Sequence, residues 1–132
     1  MSWSEENKNG KEGKQRILYI LSSGPDAPER VYIPFILALI AVATGLEPSI
    51  YFIVKGVGCL RKGVPEKVRL GSFPTLKEMI EEAASSGVKL FACSRSCKLM
   101  GLEPRDLIDG AVEVEGEALN ELMNNADGVI YF

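Results

Sequence analysis

Three cysteines, Cys59, Cys93 and Cys97, are the side chains in this sequence best suited to covalent chemistry, and no histidine accompanies them. Cys93 directly follows the apolar run Leu90-Phe91-Ala92 and precedes Ser94-Arg95-Ser96-Cys97-Lys98, which reads as a short helix or helical turn. A cysteine at such a junction meets unpaired backbone N–H groups and the positive end of a helix dipole. With Arg95 and Lys98 beside it, all of these favour thiolate over thiol. That thiolate could attack a disulfide, a persulfide or another sulfur donor and keep the transferred sulfur as Cys–S–SH, with no base required. The plain alternative is packing: free cysteine is among the most buried residue types, and Cys93 could simply fill the end of a buried strand.

Cys97 stands four residues on, so a segment helical from its start would put both sulfurs on one face and raise a disulfide or resolving role. Core filling is an equal reading of that position. Cys59 lies in Lys55-Gly56-Val57-Gly58-Cys59-Leu60-Arg61-Lys62-Gly63, a glycine-rich loop or loop-to-helix turn with three cations close by. A relay from Cys59 to Cys93 would need their Cα atoms within about 7 Å to close a bridge, and a loop thiol is the bland alternative. A zinc site would need a fourth ligand beyond these thiols, so structural metal is disfavoured. The glycines match neither the Walker pattern nor GxGxxG, so no nucleotide-phosphate cradle and no cofactor is expected.

The missing histidine excludes Ser-His-Asp triads, Cys-His pairs and histidine acid/base chemistry. Fifteen basic against eighteen acidic residues give a net charge of −3, the opposite of a phosphate-backbone binder, so nucleic acid is not an expected partner. An odd number of cysteines without a signal peptide points to a reducing compartment, the cytoplasm by default. A chain of 132 residues with 46% hydrophobic and 25% charged residues suits one globular domain.

Residues 1–15 are polar and aperiodic and read as a disordered tail, in which Trp3 is a solvated residue or a docking anchor. Residues 16–132 form the domain. Ile17-Leu18-Tyr19-Ile20-Leu21 is a short apolar run stopped by Ser22-Ser23-Gly24-Pro25, the mark of a strand buried on both faces. The uncharged stretch Val31 to Leu46 is too short for a bilayer span and predicts a helix buried on more than one side, with a second subunit as one cover. Asp26, Glu29 and Arg30 before it are capping candidates, or could line a site.

Ser49 to Val54 is a second buried strand, and Thr75-Leu76-Lys77-Glu78 is a capping box opening a helix that Gly87 ends. Val88 to Ala92, Ala111 to Val114 and Gly128 to Phe132 read as further strands, with a helix at Gly116 to Asn125. This alternation predicts a flavodoxin-like α/β/α domain with a parallel sheet of about five strands in the order 2-1-3-4-5. In that order the switch point lies between the first and third strands, which selects Ser22 to Glu29 and Cys93 to Lys98 as site loops.

The block Phe91-Ala92-Cys93-Ser94-Arg95-Ser96, then Met100-Gly101-Leu102, Asp106-Leu107-Ile108-Asp109-Gly110 and Gly116-Glu117-Ala118, resembles the DsrE/DsrF-like sulfur-transfer family. Ala43-Thr44-Gly45-Leu46, Ile50-Tyr51-Phe52 and Gly56 to Gly63 resemble its branch often labelled peroxiredoxin-like, although Cys93 lacks the proline-threonine context of a peroxidatic cysteine. The resemblance runs from about Arg16 to Phe132. It implies a flavodoxin-like subunit assembled as trimers or hexamers, with a cysteine matching Cys93 that accepts sulfur from a donor protein and passes it to an acceptor.

The expectation is therefore a cytoplasmic sulfur carrier or sulfurtransferase component holding sulfur on Cys93, with Ser94, Arg95 and Lys98 in support, Cys97 or Cys59 as optional relays, and no membrane or nucleic-acid partner. The alternatives are a thiol-disulfide redox protein using Cys93 with Cys97 or Cys59, and a non-catalytic oligomeric binding module whose cysteines only pack.

Overall fold

In the computed structural model, which describes residues 13–132, the apolar runs become strands β1 Arg16–Leu21, β2 Glu47–Phe52, β3 Lys89–Cys93, β4 Ala111–Val114 and β5 Gly128–Tyr131. The expected reading of the amino-terminal tail and of Trp3 lies almost wholly outside the described residues. All four strand pairings are parallel, in one five-stranded sheet. The helices are α1 Pro28–Ala43, α2 Leu76–Ser85, α3 Ser94–Leu99 and α4 Gly116–Asn125, with 3-10 turns at Val54–Leu60, Pro65–Lys67 and Pro104–Asp106.

The α/β class is as expected, but the strand order is β4-β3-β2-β1-β5 rather than 2-1-3-4-5. The right-handedness of parallel crossovers accounts for the layering. From β1 to β4 each crossover steps one place in the same direction, so α1 and α2 lie on one face and pack together. The return from β4 must run the other way to pair β5 with β1, so α4 lies on the opposite face. The order reverses at β1 and β5, and β2 separates β1 from β3, so the switch point anticipated between β1 and β3 does not exist.

Alternation along the strands divides the core. Tyr19, Leu21, Ile50, Phe52, Leu90 and Ala92 face α1 and α2 in a large cluster with Val31, Tyr32, Phe35, Leu76 and Ile80. Burying side chains of this size contributes about 1.5–3 kcal/mol each. Leu18, Ile20, Tyr51 and Cys93 face the other way in a smaller cluster, against Leu119 and Leu122 of α4 and Ala126 just beyond its end.

Of the two anticipated helix caps, one is present and one is not. Thr75 Oγ1 accepts from the Glu78 N–H while Glu78 accepts from the Thr75 N–H, the anticipated capping box of α2. At α1 the expected side-chain cap is absent: Ala27 is the N-cap, and Pro28 starts the helix with a preset φ, which removes the need for one N–H acceptor. The apolar helix α1 buries Val31, Tyr32, Phe35, Ala38 and Ala41 but leaves Ile33 and Ile40 exposed. Among the described residues no helix is long and apolar enough to cross a membrane.

Candidate functional site

Cys93 ends β3 and is the N-cap of α3, with extended backbone angles of φ −67° and ψ 118°. Its side chain therefore follows the strand alternation, on the face of Tyr51, Phe91 and Leu18, while the backbone beyond it turns helical. The abrupt change leaves the first N–H groups of α3 without helical acceptors, and the sulfur sits where they point.

Burial at 6% exposure pushes the Cys93 thiol up, but the balance is downward. The Ser96 hydroxyl and N–H, the Tyr51 hydroxyl and the Arg95 N–H all favour its anion. Arg95 thus contributes through its backbone; its side chain and that of Lys98 are exposed on α3. Ser94, anticipated as a supporting residue, is buried immediately beside Cys93.

Of these groups only Tyr51 lies outside the Cys93–Lys98 loop, while Ser96 is bonded to a turn outside it. Ser96 Oγ accepts a 2.8 Å hydrogen bond from the Val54 N–H, which leaves the hydroxyl proton available to favour the anion. Val54 opens the turn after β2 with φ 55°, a conformation costly for a β-branched residue, and its N–H is thereby aimed across to α3. Tyr51 lies on β2, the strand paired with β3, on the same face as Cys93. The turn is seated against β1 at Gly56, where a Cβ would run into the Leu21 carbonyl oxygen, so only glycine fits there. The Val54–Leu60 turn thus stands with the two anticipated loops, the position that β2 takes between β1 and β3. Nothing local marked Tyr51 or Val54; a hydroxyl in an apolar strand becomes a signal only once β2 is known to neighbour β3.

The other two cysteines lie in the large cluster under α1 and α2. Cys59 is fully buried, its sulfur 3.9 Å from the Ser23 carbonyl, and burial together with the Asp26 charge pushes its thiol up to about 12. Cys97 is 1% exposed, and burial, then the charges of Glu113 and Cys93, push it up to about 11. Because Cys93 is a cap and not a helical residue, the four-residue spacing does not put Cys97 in the same cluster: Cys93 joins the α4 side and Cys97 the α1–α2 side. All three thiols are free.

A cleft of about 220 Å³ opens at the amino-terminal ends of the strands, between Arg16, Glu47, Ser49, Lys89 and Phe91, which is the sheet edge remote from Cys93.

The DsrE/DsrF-like family profile matches residues 15–132. Uncharacterized protein MK0008 of Methanopyrus kandleri is 33% identical over 125 residues, covering 92% of this chain and 97% of that protein. Uncharacterized protein MJ0989 of Methanocaldococcus jannaschii is 30% identical over 114 residues, 86% of this chain and 96% of its own length. A second M. jannaschii protein, MJ0760, is 29% identical over 71% of this chain, a match that spans only 34% of that longer protein. Among solved structures, the ychN protein of E. coli superposes with a TM-score of 0.76 at 20% identity, covering 89% of this chain and 99% of that one. MTH1491 of Methanobacterium thermoautotrophicum gives 0.68 at 17% identity, covering 90% of this chain and 100% of that one. These two likenesses concern the fold. The profile match takes in every strand and helix that positions Cys93, and with a relative matched at 33% identity across almost its whole length, this chain belongs to the DsrE/DsrF-like family.

Proposed function

We propose that this protein is a sulfur carrier, or the carrying component of a sulfurtransferase, in which Cys93 holds sulfur as a persulfide. Its family is related to sulfur relay, and its members are oligomeric. The observation that carries the reading is the place of the Cys93 sulfur: it stands at the end of an interior strand where a helix begins, among N–H and hydroxyl groups of Arg95, Ser96 and Tyr51 that favour its anion despite its burial. A sulfur of that kind is anionic at a lower pH than an ordinary thiol and so is available as a nucleophile.

The step balances without a further reagent. The Cys93 thiolate attacks the outer sulfur of a donor persulfide, R–S–SH. A new S–S bond forms on Cys93, the donor S–S bond breaks, and the donor leaves as R–S⁻, giving Cys93–S–SH. An acceptor thiolate then attacks the outer sulfur of Cys93 and restores its thiolate. Cys59 and Cys97, protonated and packed in the large core cluster, serve packing in this scheme and take no part in relay.

Incubation of the full chain with a low-molecular-weight persulfide followed by peptide mass spectrometry tests the assignment. A gain of one sulfur on the Cys93 peptide, lost in Cys93→Ser, is the expected outcome. A gain confined to Cys59 or Cys97, or none at all, would overturn it.

A further inference from the structure

The phenol of Tyr51 is a buried polar group with an unusual situation. The residue is 0% exposed, and its hydroxyl has no hydrogen-bond partner among the described residues. A buried hydroxyl left in that state is destabilising, and a phenylalanine would pack the same space without the penalty. The ring belongs to the small cluster of Leu18, Ile20 and Cys93, and strand pairing sets β2 against β3 so that Tyr51 and Cys93 share one face. The ionisable group that shares this cluster with the hydroxyl is the Cys93 thiol, and each acts electrostatically on the other.

We propose that Tyr51 is a positioning residue for the sulfur chemistry of Cys93: its hydroxyl is kept without another partner so that it bonds the sulfur when the sulfur becomes an anion. A neutral thiol is a poor acceptor, so the bond is strong only after ionisation. Tyr51 therefore separates the two protonation states of Cys93, which the Ser96 hydroxyl, already engaged with Val54, does from the opposite element.

The other titratable groups near the pair leave the phenol in its donating form. Cys97 of α3 is held protonated by burial, Glu113 of β4 acts on Cys97, and Glu115, the N-cap of α4, acts on Tyr51. Burial first, then Cys93, Cys97 and Glu115, all push the Tyr51 hydroxyl up, so it stays protonated while Cys93 ionises. Arg95 and Lys98 are exposed on α3.

The inference rests on the reading above only in taking Cys93 as the working sulfur, and its test does not need persulfide transfer. In Tyr51→Phe, the pH midpoint of Cys93 thiolate formation, followed by ultraviolet absorbance and by the rate of iodoacetamide labelling at Cys93, should rise by about one unit, the effect of losing one charge-assisted hydrogen bond. Labelling at a pH below the wild-type midpoint should slow about 10-fold, while the melting temperature holds or rises. An unchanged midpoint would overturn the proposal.

A second measurement uses the unmutated chain, so it stands even if the variant folds poorly. The ring-carbon resonance of Tyr51 bonded to its hydroxyl should shift with the Cys93 titration and become flat in Cys93→Ser. A resonance indifferent to Cys93 would refute the role whether or not sulfur is carried. Conversely, a shifted midpoint without any persulfide on Cys93 would leave Tyr51 in place and remove the carrier reading.

Discussion

Replacing Ser96 with alanine removes one oxygen that serves two partners at once. Its Oγ accepts from the Val54 N–H at 2.8 Å, and its hydroxyl favours the anion of the Cys93 sulfur. Two consequences should appear in different assays. First, the Val54 N–H loses its protein partner. Val54 is 42% exposed, so water can replace the acceptor in part, and the stability cost should be near the low end for an orphaned donor, about 1 kcal/mol. The left-handed φ of 55° at Val54 should then relax, because the bond to Ser96 helps hold it.

Second, the sulfur loses a charge-assisted hydrogen bond, typically worth about 1.5–3 kcal/mol, which corresponds to roughly one to two pH units in the thiolate midpoint. The backbone N–H donors of Ser96 and Arg95 remain, so the shift is partial. The sign in stability follows from linkage. The folded thiol sits below its unfolded value, so its contribution is fully present above the unfolded pKa and is lost as pH falls through the folded one. In Ser96→Ala the folded value moves up toward the unfolded one, and this contribution shrinks. Thiolate absorbance against pH, paired with urea unfolding at several pH values, measures both effects. A variant that loses stability while its thiolate midpoint stays put would show that Ser96 only clamps Val54, and the account of the sulfur would fail.

The two deeply buried thiols make an opposite prediction in alkali. Cys59, at about 12, and Cys97, at about 11, keep protons in the folded state that the unfolded chain releases near its ordinary thiol pKa, so stability should fall as pH rises from about 9 toward these values. The slope should be about 1.4 kcal/mol per pH unit for each thiol, and Cys59→Ala should flatten it by one such increment; parallel slopes in the two proteins would refute the assignment. At Gly56, a methyl group would meet the Leu21 carbonyl oxygen, a backbone atom that cannot swing aside. Gly56→Ala should therefore cost about 3 kcal/mol or more in urea unfolding, and a near wild-type midpoint would contradict the seating of this turn.

The local grammar of the chain was enough for its elements. Short apolar runs bounded by glycine and proline marked the strands, and Thr75 with Glu78 three residues on marked the start of α2. Cys93 was visible as a thiol at a strand-to-helix junction because both signals are contiguous in sequence. What sequence alone determined, then, was an alternating α/β chain with a cysteine between β3 and α3.

Tertiary structure decided who stands around that cysteine. Strand order depends on the direction and hand of each crossover, and the chain folded as β4-β3-β2-β1-β5, which sets Tyr51 and the Val54 turn beside Cys93 and brings β5 to β1. Periodicity misled at Cys97 because it assumes both residues lie in one helix, whereas Cys93 obeys the strand and Cys97 the helix, sending them into different core clusters. Side-chain alternation and helical spacing act over a few residues, while the pairing of distant strands follows from packing two layers on one sheet, and only that packing turns a phenol 42 positions away into a neighbour of the sulfur.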